Sequence, residues 1–506
     1  MELTVYSSEM TATRRSFFRS AALGASVAAG AFARTAPPRP YGAVPSSRQL
    51  AWSEMEFYNF LHFTVDTFTD KEWGYGDESP AVFNPTAFDA DAIVGVLKEA
   101  GSKGVILTCK HHDGFCLWPT KTTVHSVKHS PYKNGKGDIV REISEAARRQ
   151  GLKFGVYVSP WDRNQPTYGT PRYISIYREQ IRELLSGYGP IFEVWHDGAN
   201  GGDGYYGGAR EKRTIDKLHY YRWPETWAME RHLQPGAVIF SDVGPDVRWV
   251  GNEKGIAGET CWATYTPKSP NGGPGAPGDV NEKESTVGTR DGKYWMPAEC
   301  DVSIRPGWFW HAKENSKVKT PAELVTLYYE SVGRGASFLL NVPPDRRGLI
   351  YEADARSLQS FGKTLRATFQ TDLAHGADWK ASNVRGGERA FEPRNLTDGK
   401  PATYWATDDG VTTAEVVLDL PHEAQFNLVR VREHTPLGQR VGSFAVDVWK
   451  GGQWSPFGNG TSIGICRILR SDQAVTTKRV RLRITEAAAS PALSELALFA
   501  ESAIIV

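Results

Sequence analysis

From about residue 57 onward the chain alternates two hydrophobic patterns. Short unbroken apolar runs predict strands over 57–63, 104–109, 153–159, 191–195, 237–240, near 295–298, and 337–342. Between them, apolar residues recur three and four apart, which predicts helices over 91–100, 138–150, 171–186, 223–232 and 321–333. The second of these helices has an Asp138 cap and apolar Ile139, Val140, Ile143, Ala146 and Ala147 on one face. Strands alternating with helices imply parallel βαβ units, and unbroken apolar strands imply a sheet covered on both faces. With seven or eight such units the fold expected is α/β, a closed (β/α) TIM-like barrel. No GxGxxG follows the first strand, which removes support for a dinucleotide fold.

The texture changes near residue 372. Helical periodicity almost vanishes, and short β runs appear over 415–420, 428–433, 443–450 and 478–484. This predicts an all-β sandwich or jelly roll of ~130 residues after the barrel. Gly- and Pro-rich stretches at 198–208 and 269–278 read as long barrel loops.

Composition then narrows the function. A formal charge of +1 from 59 basic and 58 acidic residues gives no field that would call for nucleic acid. The load of 16 Trp, 20 Tyr and 22 Phe suits stacking on sugar rings and suits an aromatic core equally. Five cysteines without CxxC spacing speak against a zinc ribbon, and unpaired core thiols are expected. At the N-terminus, Thr13-Arg14-Arg15-Ser16-Phe17-Phe18-Arg19 precedes an Ala/Gly-rich apolar run ending in Ala31-Phe32-Ala33. That run is too short to anchor in a bilayer and resembles a bacterial twin-arginine export signal with a small-x-small cleavage site. The expected organisation is a signal peptide over 1–33, a Pro-rich linker over 34–50, a catalytic barrel over 51–370 and a β module over 371–506. The exported protein is periplasmic or extracellular on this reading, with no membrane span.

Polar residues gather where the predicted strands end: His62, then Lys110-His111-His112-Asp113, Tyr157 and Ser159, His196-Asp197, Asp242, Glu299 and Asp301, and Asn341. In a parallel barrel the loops after the strands build the site, so this set should converge on one pocket. Adjacent histidines on a strand point to opposite faces, so His111 and His112 are a poor pair of ligands for one metal. There is no GxSxG elbow. Paired carboxylates among aromatic walls suit glycoside cleavage, where one carboxylate attacks the anomeric carbon and another delivers a proton.

At these residues the chain resembles glycoside hydrolase family 29, the retaining α-L-fucosidases, over roughly residues 52–360. The resemblance rests on His62-Phe63, the 67–74 segment, Lys110 to Trp118, Lys153 to Ser159, Glu193 to Gly198, Gly244 to Glu253, Gly307-Trp308-Phe309-Trp310-His311 and Leu339 to Asp345. It implies Asp197 as nucleophile of a covalent fucosyl-enzyme. It also implies His62, Glu72, Trp73, His111, His112, Tyr157 and Trp310 as residues around the sugar. For the acid/base, Gly251-Asn252-Glu253 resembles the subgroup acting on α-1,3/1,4 branched fucosides and points to Glu253; Glu259 and Glu299 are the alternatives. The family commonly has Gly and Asn where this chain has Thr64 and Asp66. No metal or other cofactor is implied for catalysis.

Residues 395–400, 404–407 and 433–441 resemble discoidin-type carbohydrate-binding modules, in which the loop at Asp398 can hold a structural calcium. Such a module either binds glycan or braces the barrel. The expected activity is removal of terminal α-1,3/1,4-linked fucose from fucosylated oligosaccharides by double displacement. The alternatives are a fucose-binding, lectin-like relative of weak activity and a glycosidase for another sugar.

Overall fold

A computed structural model describes residues 35–506, so the expected export signal lies outside the described residues. Eight parallel strands close into a barrel: β1 (Phe57–Leu61), β2 (Gly104–Lys110), β3 (Lys153–Val158), β4 (Glu193–Trp195), β5 (Val238–Ser241), β6 (Val247–Trp249), β7 (Ala298–Ser303) and β8 (Ser337–Asn341). Neighbours follow chain order, and β1 pairs with both β2 and β8 to close the ring. Every residue of β1, β2 and β8 is buried, as unbroken apolar runs require of a sheet enclosed by helices. The helix Ile139–Gln150 starts where Asp138 accepts the Arg141 N–H and stops at Gly151 in the left-handed region, φ 80°.

The structure departs from the sequence reading at three places in the barrel. β6 was not expected. It follows β5 after only residues 242–246, with no helix between them. This is feasible for a parallel pair because β6 is displaced: Val247 sits beside Phe240, near the end of β5, so the chain need not return to the start of that strand. The strand expected near 295–298 divides into Tyr294–Trp295, which pairs antiparallel with Thr264–Tyr265, and the barrel strand β7. The 34–50 linker also ends sooner, since a helix begins at Ser47 with a capping box from Ser46 and Gln49.

The C-terminal region is an antiparallel sheet of seven strands. What read as separate strands over 415–420 and 428–433 is one strand, Ala414–Glu433. Its ladder to Arg467–Ala487 is interrupted between Asp419/Ala424 and between Phe426/Leu428. These irregularities break the period-2 signal and bend the sheet around a core that includes Trp405, Val416, Leu418, Phe426 and Leu482.

Barrel and sheet belong to one compact unit, Pro37–Val506. Leu428, Cys466, Ile468, Ala497 and Phe499 of the sheet join the same apolar cluster as Leu324, Tyr328 and Phe361 of the barrel. Arg432 bridges Glu56 of the barrel and Glu495 of the sheet. The Cys261 N–H donates to Ser462 (3.2 Å) and the Ala263 N–H to Gln439 (2.7 Å). All five cysteines are buried free thiols. Among the described residues, no helix is long and apolar enough to cross a membrane.

Candidate active site

The strand ends converge as barrel geometry requires. A cavity of ≈ 440 Å³ opens at the C-terminal ends of the strands. His62, Trp73, His111, His112, Tyr157, Asp197 and Glu253 line it, seven of the residues expected to form the site.

Asp197 follows β4 and is held from two sides. The Ala199 N–H donates to Oδ1 (2.6 Å) and the Tyr157 hydroxyl to Oδ2 (2.7 Å). Burial pushes its carboxyl above the ordinary range, and these two donors oppose that by favouring the ionised form. Tyr157 is itself fixed by stacking on Trp195, which stacks on Phe240.

The hydrogen-bond network decides the histidine tautomers. The Asn341 amide donates to Ser303 Oγ and to the Trp308 carbonyl, so its oxygen is the acceptor for His62 Nδ1–H at 2.9 Å. The Ser159 hydroxyl donates to the Trp161 carbonyl, so its oxygen accepts from His112 Nδ1–H at 2.7 Å. Burial, reinforced by neighbouring His111, holds both rings well below the usual imidazole range and hence neutral. Each therefore presents an Nε2 lone pair. That of His112 lies 3.8 Å from Asp197 Oδ2, which leaves room for a hydroxyl to donate between them.

His111 and His112 both reach the cavity, with ring centroids 4.0 Å apart, although strand alternation assigned them to opposite faces. The alternation does not apply, because β2 ends at Lys110 and both lie in the turn beyond it. Lys110 itself points away and is buried against Asp162, Tyr173 and Gln180.

Two residues expected around the sugar do not line the cavity. Trp310 does not line the cavity; Trp308 does. Residues 307–311 form an irregular loop, so no strand or helix period tells one tryptophan from the other, and Trp310 instead packs near Tyr351 and the Arg305 guanidinium. Glu72 does not line it either. It accepts the Trp308 N–H (2.7 Å) and Phe309 N–H (3.3 Å) and contacts His311 Nε2 at 2.5 Å, thereby anchoring the loop that presents Trp308.

Among the acid/base alternatives, Glu253 lines the cavity beside Trp308, whose indole N–H lies 3.3 Å from Oε2. Glu259 lies at the sheet interface, where its carbonyl accepts from Arg467. Glu299 is wholly buried, accepting from Tyr58 and from the Trp195 indole at 2.6 Å. Burial pushes Glu299 up to about 7, and its neighbour Glu193 is raised further by burial and by Glu299. This pair sits under the floor formed by Trp195 and does not line the cavity. Two more buried carboxyls do. Burial raises Asp301 well above its usual range, reinforced by Glu253, while the Trp249 indole donates to it at 2.8 Å. Asp242 is pushed up to about 7, chiefly by burial, and accepts the Gly278 N–H at 2.6 Å. Both stood among the strand-end residues without a role. Pro270 and Val280 of the long loop also line the cavity, and no periodicity marks them.

Among the described residues one group has the spacing of a metal triad: Asp66, His111 and Asp113, with ligand atoms within 4.8 Å of one another. The oxygens of Asp113 accept from the Phe115 N–H and the Thr64 hydroxyl, and Asp66 accepts the Gly74 N–H. Burial raises Asp113 well above the carboxylate range and Asp66 to about 8.

The comparisons with known proteins agree with this geometry. The family described as alpha-L-fucosidase matches residues 7–368, and the F5/8 type C domain matches 378–497. The chain is 42% identical to alpha-L-fucosidase 1 of Arabidopsis thaliana over 468 residues, 91% of this chain and 88% of the relative. Among solved structures, a putative alpha-L-fucosidase from Bacteroides thetaiotaomicron aligns with TM-score 0.82 at 38% identity, covering 93% of this chain and all (100%) of that one. A Ruminococcus gnavus fucosidase in complex with fucose aligns with TM-score 0.80 at 34% identity, covering 92% and 97%. With a closed barrel presenting Asp197 in a histidine- and tryptophan-lined cavity, the chain belongs to glycoside hydrolase family 29, the α-L-fucosidases, and carries a C-terminal F5/8 type C domain.

Proposed function

We propose that this enzyme is a retaining exo-α-L-fucosidase that removes terminal α-1,3/1,4-linked fucose from branched oligosaccharides. The observation that carries this reading is that Asp197 and Glu253 line one cavity with the neutral acceptors His62 and His112. In the first step an Asp197 oxygen bonds to the anomeric carbon as the glycosidic C–O bond breaks, and Glu253 gives its proton to the departing oxygen. In the second step Glu253 takes a proton from water, water attacks the same carbon, and Asp197 leaves. Two inversions give net retention, which calls for carboxyl groups ~5–5.5 Å apart. Tyr157 and the Ala199 N–H orient Asp197, and they favour its ionised form against the cost of burial. His62 and His112 accept sugar hydroxyl protons, while Phe60, Trp195 and Trp308 supply apolar surface for a deoxy sugar's methyl group.

The reaction needs no metal on this reading. A chelator is expected to leave turnover intact. Residues 1–33 direct export, residues 34–50 lead into the barrel, and the module over 371–506 braces the barrel and offers a glycan-binding surface. A structural calcium is proposed for the loop at Asp398. The deciding experiment is a panel of α-1,2-, α-1,3- and α-1,4-linked fucosides, with the product anomer followed by NMR. Release of α-L-fucose first, from branched substrates, is expected. An initial β product would refute retention, and cleavage of α-1,2 links alone would refute the linkage.

A further inference from the structure

Six carboxylates line the cavity: Asp197, Asp242, Glu253, Asp279, Glu282 and Asp301. No lysine or arginine lines it among the described residues. Four of the six already have places in the site, since Asp197 and Glu253 face the bond to be broken and Asp242 and Asp301 are buried in the wall. The remaining two are different. Asp279 is half-buried, Glu282 is exposed, and both belong to the segment that follows the Gly/Pro-rich stretch.

That segment is held in place. Gly278 donates to Asp242, Asn200 donates to the Gly198 and Pro277 carbonyls (both 2.9 Å), and Asp279 and Ala276 exchange backbone hydrogen bonds. Gly278 lies so near the Gly198 carbonyl that a Cβ there would sit 2.2 Å from its oxygen, at φ +78°. The two carboxylates are therefore carried on a wall that cannot readily swing aside. Of the nearby lysines, one holds this segment from behind without lining the cavity, and the others are paired or turned outward. Lys217 donates to the Gly278 carbonyl at 2.5 Å, Lys268 lies 3.9 Å from Glu284, and exposed Lys283 does not line the cavity. On other sides the mouth is aromatic: Trp73, 52% exposed, with Trp249 and Trp308.

We propose that the leaving-group side of the cavity selects uncharged glycans and rejects carboxylated or sulfated ones, with Asp279 and Glu282 as the specificity-determining residues. Indole faces accept the apolar face of a neutral sugar, whereas an anionic substituent entering the mouth meets like charge with no cation to receive it. The inference rests on the fucosidase reading for the site.

The test uses three glycans that share one branched fucosylated core: neutral, sialylated and sulfated. kcat/KM is measured for each at about 0.02 M and about 0.5 M NaCl, where charge screening differs strongly. The neutral glycan should be favoured roughly tenfold at low salt, and the preference should shrink at high salt. In Asp279→Asn/Glu282→Gln the ratio of neutral to anionic rates should approach one. A ratio near one in the unaltered enzyme, or one that salt and the double substitution leave in place, overturns the proposal. If the neutral glycan is bound but not cleaved, the linkage reading fails. The same ratios are then read from the three glycans as competitors of aryl α-L-fucoside hydrolysis, and they support or overturn the selectivity on the same criteria.

Discussion

The mouth of the barrel and the C-terminal sheet both bury carboxyl groups, and they supply those groups with different partners. In the sheet, Asp447 pairs with Arg481 (2.9 Å) and Arg483 (2.7 Å) and, despite the opposing effect of burial, is held below the usual carboxylate range. Glu433 accepts three backbone N–H groups, from Arg440, Val441 and Gly464, at 2.6–3.0 Å, and these donors only partly offset burial, which pushes it up to about 7. In the barrel, burial is the largest influence on Asp66, Asp113, Asp242 and Asp301 toward the mouth and on Glu193 and Glu299 beneath the floor, and all six are raised. The sheet spends its cations and donors on fixing structure. The barrel mouth leaves its buried acids raised and lines its cavity with no lysine or arginine, which is useful for chemistry and costly for stability.

The largest expected effect lies in the barrel. Asp197→Ala should lower kcat by roughly 10³-fold or more while the thermal transition barely moves. A variant that still turns over fucosides near the native rate would remove Asp197 from the mechanism. Glu253→Gln should cost roughly 10²–10⁴-fold on oligosaccharides. Aryl fucosides with an acidic phenol need little protonation and should be spared in the glycosylation step; equal loss on both would point away from an acid role. In the sheet the expected damage is to folding. Glu433→Ala would leave three buried N–H groups without their acceptor, at about 3 kcal/mol or more by urea denaturation. A loss below ~1 kcal/mol would mean that water replaces the carboxylate.

The smallest effect is a contrast in sign. The folded-state pKa of Asp66 is raised from 3.8 to about 8, so its contribution is fully present below about 4 and lost as pH rises through about 8. Asp447 is depressed, so its contribution is present above the unfolded value, near 3.8, and lost as pH falls through the folded one. Scans of Tm against pH should therefore flatten on the alkaline side for Asp66→Asn and on the acid side for Asp447→Asn. Both variants responding on the same side would break the comparison between the two regions.

Much of this was readable in the chain because the barrel repeats one local rule. Unbroken apolar runs located six of its strands and touched the edge of a seventh, and the polar residues at the strand ends located Asp197, His62, His112 and Tyr157. The sixth strand escaped because the link over 242–246 carries no helix to set the rhythm. Choosing between Trp308 and Trp310, or separating Glu253 from Glu259, needed the course of irregular loops, which no period encodes. The reach of Glu72 toward the 308–309 backbone was hidden for another reason: its partners lie 236 and 237 residues away.

The contacts at Cys261 and Ala263 bear on how such a chain can be divided. Residues 252–263 leave Glu253 at one end and are fastened at the other by Ser462 and Gln439 of the sheet. A cut near residue 370 would therefore detach more than an accessory. It would uncover Leu324 and Tyr328, which share a cluster with Cys466 and Ile468, and slacken the segment that carries Glu253. The two parts look like separable cassettes in sequence. In three dimensions they are bound to be inherited together, and a shortened version would need a new surface before it could serve as an enzyme.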